Sequence, residues 1–479
     1  WHGRPAHETR ARCPCHTCEQ SCLRMKKLFD DEVIDRRFHC GQWRMLGMTI
    51  IGYTLFYFLR KNFSFAMPGL EQDLGVSKSM LGNCLFAGGI VYGISKFLNG
   101  FIGDRVNARK MLCFGLAICV CVNIAFGFAE EIAGLFLGEG ADAASRVATL
   151  AVVIGGLYVL SQFFQGTGFP PCAKLLAFWI PPNELATKMN LWNTSHSIGG
   201  GIVAKICGVI MGLGVIGSAN QGIGMWKWCF WSMASLGFAG LVLLWFGLPG
   251  TPEEEGLPPV PGTETLKTES QTTMIKGDRP SVWKGVFSHP AIWVLGCCNF
   301  TINAVRALVA DWGPTMLQEA KHLTSSEAGT VIMAFEFAGI AGMLLSGWVT
   351  DRFAGGRSPR VCVFLMALTA LFLWLFLKLP TGAASGAALC AVGFCLYGPQ
   401  ALTGVAATNL CGKQFAGTSI GFISLFSYIG VSISGKVCGT LAQSTGGWQV
   451  PVTVIASTAV AGMVFFLLLW GAKADNYGE

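Results

Sequence analysis

The chain has 479 residues, of which 52% are hydrophobic and only 13% charged, about half the charged fraction of an ordinary water-soluble domain. That balance excludes a soluble globular protein as the starting assumption and makes lipid the main solvent. The formal net charge of +7 sits mostly in polar segments between apolar runs. It therefore speaks for membrane orientation and contact with anionic lipid, and no nucleic-acid partner is expected.

Residues 1–43 form a polar N-terminal segment. Cys13, Cys15, Cys18, Cys22 and His16 cluster there, but their spacing fits no standard zinc pattern, so neither a metal site nor a cofactor is expected. The chain opens on Trp1, whereas Met25 is followed by Lys26 and Lys27 in the manner of a normal start, so residues 1–24 read as an upstream extension. The first apolar run is too long for a cleavable signal and lacks a cleavage site.

Apolar runs then recur at 44–69, 80–102, 111–129, 150–178, 187–216 and 227–248, and again at 289–314, 326–349, 360–379, 383–409, 415–440 and 448–471. Each matches the roughly 20 residues needed to cross a hydrocarbon core as a helix, and helix is required because lipid offers backbone groups no partner. The expected fold is an all-α membrane protein of about twelve transmembrane helices in two pseudo-symmetric six-helix bundles, 44–248 and 289–471. Between them lies a polar, Pro- and Thr-rich linker at 249–288, and a short tail follows at 472–479. Many of the 62 glycines are scattered through the spans, where they let backbones approach closely.

Two segments repeat. GFIGDRVNARK at 100–110 and SGWVTDRFAGGR at 346–357 each lie between the second and third helices of a half, and Asp104 and Asp351 are 247 positions apart. Basic residues crowd the loops on this side, among them Arg105, Arg109, Lys110, Arg352 and Arg357, so the positive-inside rule places both termini in the cytoplasm.

Charged residues inside the spans are costly unless paired or facing an internal pathway. Arg60 and Lys61 lie in the first helix, Arg306 and Asp311 in the seventh. Arg60 and Arg306 are 246 positions apart, nearly the repeat interval, and so are near symmetry mates on opposite walls. Two guanidinium forks converging from opposite sides suit a phosphate dianion. Lys96 on the second helix adds a third positive charge, and His196 with Trp192 and Asn193 on the fifth supplies polar groups. Glu336 on the eighth helix and Asp311 need cations, so Lys61 with Asp311 and Lys96 with Glu336 are expected to bridge the halves. Lys205 and Lys436 lie near helix ends and read as snorkelling, and Lys174 is ambiguous between cavity and interface.

The paired signature resembles the major facilitator superfamily, and FYFLRKNFSFAMP, YGISKFLNGFIGDRVNAR, QGTGFPPCAKLL, LWNTSHSIGGG, VRALVADWG and YGPQALTGVAATN resemble its organophosphate:phosphate antiporters, over roughly residues 40–471. The resemblance implies halves that rock around a midplane site, gating roles for Asp104, Arg105, Asp351 and Arg352, and phosphate binding by Arg60, Arg306 and Lys96. It implies cavity roles for His196 and for Tyr53 and Tyr57. Asn303 stands where glycerol-3-phosphate transporters carry a tyrosine, and Phe169 replaces a fourth-helix tryptophan. YGPQALTGVAATN and SIGFISLFSYIG resemble the hexose-phosphate branch, including its regulatory member.

The main expectation is a cell-membrane (inner-membrane) antiporter, not an enzyme, exchanging a sugar phosphate such as glucose 6-phosphate for inorganic phosphate. Three rival readings stand beside it: a sensor of external sugar phosphate working with a sensor kinase, a glycerol-3-phosphate antiporter, and a proton-coupled organic anion symporter.

Overall fold

The computed structural model describes residues 16–137, 142–216, 224–258, 286–411 and 416–471. All regular structure among them is helical. The first half contains α1 (His16–Leu74), α2 (Lys78–Arg105), α3 (Ala108–Gly127), α4 (Ala129–Gly134), α5 (Ala143–Gln165), α6 (Phe169–Trp179), α7 (Pro182–Asn193), α8 (Ser195–Ile216) and α9 (Met225–Gly247). The second contains α10 (Pro290–Lys321), α11 (Ser325–Phe353), α12 (Ser358–Lys378), α13 (Ala383–Cys411), α14 (Ala416–Thr445) and α15 (Gln449–Leu468).

Eleven spans among the described residues are long and apolar enough to cross a membrane. The twelfth is α1, whose apolar run from Met45 is interrupted by Arg60, Lys61 and Asn62. That helix starts well before residue 44, because the preceding segment is rich in Leu, Arg, Lys and Glu, which are good helix formers. Most of the linker, 259–285, and the tail from 472 lie outside the described residues, as do the side chains of the cysteine cluster.

Two expected continuous helices are broken. The run 150–178 divides at Gly166–Gly168 into α5 and α6, where prolines occupy the first turn of the new helix and supply no amide hydrogen to the old one. The run 187–216 divides at Thr194 into α7 and α8. Both breaks lie beside the candidate site.

The halves meet along two glycine-lined seams. At one, a Cβ added to Gly82 of α2 would lie 3.2 Å from the backbone of Gly435 and Lys436 on α14. At the other, a Cβ on Gly208 of α8 would lie 2.6 Å from the Ser325 carbonyl, and one on Gly329 of α11 2.4 Å from the Ala204 carbonyl. Lys205 reaches across this second seam to Thr330 Oγ1 at 2.8 Å, so it bridges the halves as well as lying near a helix end. Beyond the seams, Lys78 Nζ contacts Glu319 of the other half at 2.9 Å and Ser79 N–H donates to Gln443 Oε1 of the other half at 2.8 Å, while Glu319 is held within its own half by Trp448 Nε1 at 2.7 Å.

Toward the signature loops the same stripes separate. A Cβ on Gly100 of α2, Gly421 of α14 or Gly347 of α11 would meet no atom within 4 Å. The halves are thus closed at the Lys78 end and apart at the signature-loop end. Gly208→Val or Gly329→Val replaces backbone contact with a branched side chain, an overpacking worth about 1–3 kcal/mol. We expect at least about a tenfold loss of exchange and faster labelling of a cysteine placed at Ser326 by an impermeant maleimide added from the Lys78 side.

Candidate functional site

Arg60 and Arg306 come from α1 and α10, the first helix of each half, and each is held against aromatic faces. The Arg60 guanidinium lies 4.1 Å from the Tyr92 ring centroid and 5.8 Å from that of Tyr57. Arg306 lies 5.0 Å from the Tyr397 ring, and its Nε donates to the Tyr397 hydroxyl at 3.1 Å. Its Nη2 is buried with no hydrogen-bond partner among the described residues. Cation–π contact holds each planar fork in place without consuming all its donors.

Lys61 meets Asp311 across the halves at 2.6 Å, as the sequence leads one to expect. The second expected bridge does not form. Glu336 accepts from the Tyr397 hydroxyl and lies 3.8 Å from Arg306 Nη2, a neighbour in its own half, so it is not an inter-half bridge. Lys96 instead donates to the Tyr428 hydroxyl of the other half at 2.8 Å and sits 4.4 Å from the Phe169 ring centroid. The physical reason is that tyrosine hydroxyls lie nearer to both groups and satisfy them without bringing the charges together.

A continuous chain therefore links the cations. Arg60 covers Tyr92, Tyr92 packs edge-on against Tyr428 at 5.2 Å, and Tyr428 receives Lys96. On the facing side, His196 stacks on Tyr397 with centroids 6.1 Å apart, and Tyr397 carries Arg306 and Glu336.

The break between α7 and α8 sets the remaining polar groups. His196 Nδ1 faces the Asn193 carbonyl, while Nε2 is buried without a partner among the described residues. Trp192 is 1% exposed, packs 4.8 Å from Tyr53 and 5.6 Å from Phe169, and leaves its indole N–H without a partner. Tyr57 lies 5.8 Å from His196 and 5.4 Å from Tyr53. Asn303 is occupied locally, donating to the Asn299 carbonyl at 2.9 Å one turn from Arg306.

The signature loops lie apart from this cluster. Arg105, Asp351 and Arg352 are exposed at the ends of α2 and α11, and the Asp104 side chain lies outside the described residues. Lys174 belongs to that end, donating to the Gly103 and Val106 carbonyls at 2.9 and 3.0 Å, where it caps α2. Asn107 caps α3 and donates to Glu254 at the start of the linker at 2.9 Å.

Sequence reasoning missed Tyr92, Tyr158, Tyr397 and Tyr428. A signal existed: the chain has 34 phenylalanines and only 7 tyrosines. Apart from Tyr477, which lies outside the described residues, every tyrosine gathers around these charges. Tyr158, for instance, packs 4.4 Å from Phe63 within electrostatic reach of Arg60 and Asp311.

Comparison with known proteins identifies the family. The family profile described as Major Facilitator Superfamily matches residues 49–435. A probable hexose phosphate transport protein of Chlamydia pneumoniae is 31% identical over 94% of this chain and 96% of its own length. The glycerol-3-phosphate transporter of Bacillus subtilis is 31% identical over 93% and 97%, and the membrane sensor protein UhpC of Escherichia coli 32% identical over 92% and 94%. Among solved structures, the inward open conformation of the xylose transporter XylE from E. coli shares the fold with a TM-score of 0.69 at 13% identity, over 89% of this chain and 96% of that one. The chain belongs to the Major Facilitator Superfamily and, within it, to the organophosphate:phosphate antiporters.

Proposed function

We propose that the chain exchanges a hexose phosphate for inorganic phosphate by alternating access, from a cell membrane with both termini in the cytoplasm. The carrying observation is the charge of the site. Arg60, Lys61, Lys96 and Arg306 face Asp311 and Glu336, an excess of two formal positive charges gathered from both halves. A phosphate dianion cancels that excess.

Binding between Arg60 and Arg306 draws the two walls together, because the dianion accepts from donors on both. The halves now apart at the signature-loop end close, and the Lys78 end is then free to open. Without an anion, closing brings like charges together in a medium of low dielectric, where their repulsion is strong. Return therefore requires phosphate or a second organophosphate, which makes the exchange obligatory. Arg105, Asp351 and Arg352 are assigned to gating at the signature-loop end together with Asp104.

The test is uptake of labelled glucose 6-phosphate into liposomes with and without internal phosphate. Uptake that depends on internal phosphate is the expected result. Dependence on a proton gradient instead favours symport, in which Asp311, Glu336 or His196 carries the proton. The E. coli relative named as a membrane sensor keeps a second reading in view: saturable glucose 6-phosphate binding without counterflow would replace transport with sensing, alongside a partner kinase.

A further inference from the structure

We propose that Trp192 and His196 form a hydroxyl-reading pair, the indole Nε1–H donating to one ring hydroxyl of the sugar and the neutral imidazole Nε2 accepting from another. This rests on the sugar-phosphate reading above and assigns what the non-phosphate end of the site recognises.

Both atoms are buried and have no hydrogen-bond partner among the described residues. Leaving one such group unpaired costs about 1–3 kcal/mol, and folded proteins leave few. Of the eleven such atoms among the described residues, which include Ser195 Oγ and Ser197 Oγ of the same segment, these two stand four residues apart across the α7–α8 break. One is a donor. The other is an acceptor: His196 Nδ1 donates to the Asn193 carbonyl, which assigns the ring proton to Nδ1 and the lone pair to Nε2. Arg306 lies against the same Tyr397 ring on which the imidazole stacks. Tyr53 and Tyr57 line the space between the indole and the imidazole, Tyr53 packing 4.8 Å from Trp192, Tyr57 5.8 Å from His196, and the two 5.4 Å from each other.

The surroundings fit a carbohydrate. Tyr53 and Phe169 flank Trp192, and Tyr57 and Tyr397 flank His196. These faces can cover the apolar C–H surfaces of a pyranose while its hydroxyls meet the two nitrogens. Position fits as well. Tyr397 joins His196 to Arg306, so a phosphate on Arg306 places the start of the sugar at His196. The far side of the ring then lies at Trp192, toward the end where the halves are apart. Glycerol phosphate is acyclic and offers no ring face to these aromatic surfaces. A phosphoglycerate would bring its carboxylate to the Nε2 lone pair, which repels it.

The experiment uses the full chain reconstituted with internal phosphate. Half-saturation is measured for glucose 6-phosphate and each of its monodeoxy analogues, by inhibition of phosphate counterflow and independently by thermal protection in detergent. The unaltered protein should reject at least two analogues by about tenfold or more. Trp192→Phe keeps a ring and removes the N–H, and should erase the rejection of one analogue. His196→Phe keeps the stack and should erase the rejection of a different one, which His196→Gln partly restores. Retention of the original pattern in both Phe variants overturns the proposal. So does equal weakening of glucose 6-phosphate, every analogue and inorganic phosphate. Absence of counterflow in the unaltered protein defeats the antiport reading alone, because the thermal-protection pattern still decides the pair.

Discussion

Exchange should fall by about tenfold to a hundredfold in Arg60→Lys and in Arg306→Lys, with Arg306→Lys the more damaged. Lysine keeps the charge and loses the planar fork, and charge-assisted hydrogen bonds of the kind lost contribute about 1.5–3 kcal/mol each. Arg60→Lys gives up the stack on Tyr92 at 4.1 Å. Arg306→Lys gives up its stack on Tyr397, the 3.1 Å bond to the Tyr397 hydroxyl, and the guanidinium beside Glu336. Initial counterflow rates, with phosphate binding measured separately, provide the test. Rates near those of the unaltered protein in both variants would mean that bare positive charge is enough and that the fork geometry has no role.

Asp311→Asn should cost the folded protein more than it costs any single substrate contact. Lys61 and Asp311 meet at 2.6 Å between the halves, and both are largely shielded from solvent. Removing one partner strands a buried charge, a loss of about 3–5 kcal/mol, whereas exchanging the two restores neutrality. The expected pattern is a sharp fall in thermal stability for Asp311→Asn and its substantial recovery in the Lys61→Asp, Asp311→Lys double variant. Exchange should remain impaired in the swap, because Arg60 would then have a carboxylate as its immediate neighbour on α1. A swapped protein as unstable as the single variant would show that local packing matters more than charge pairing.

The architecture was legible in the sequence because a membrane imposes one length and one composition on every span. The repeat was legible because Asp104 and Asp351 punctuate equivalent loops. The Lys61–Asp311 contact could be read for a related reason: two opposite charges in otherwise apolar helices have few ways to be satisfied. The error over Lys96 and Glu336 came from treating carboxylates and ammoniums as each other's only partners. Tyr428 and Tyr397 each offer a hydroxyl from within an apolar helix, where an aromatic residue reads as packing. The helix breaks at Gly166–Gly168 and Thr194 were hidden because each lies inside a stretch long and apolar enough to read as one span, although the two prolines after Phe169 marked the first.

The two arginines are equivalent by sequence interval and unequal in their surroundings. Arg60 rests between tyrosine rings, whereas Arg306 already shares Tyr397 with the Glu336 carboxylate. In the proposed exchange, an incoming dianion therefore meets a ready ligand on one wall and a contested one on the other. Capture by the first half can precede commitment by the second, and the work of displacing Glu336 falls between them. The near-twofold scaffold thus supports an ordered, two-step handover of the anion from one half to both.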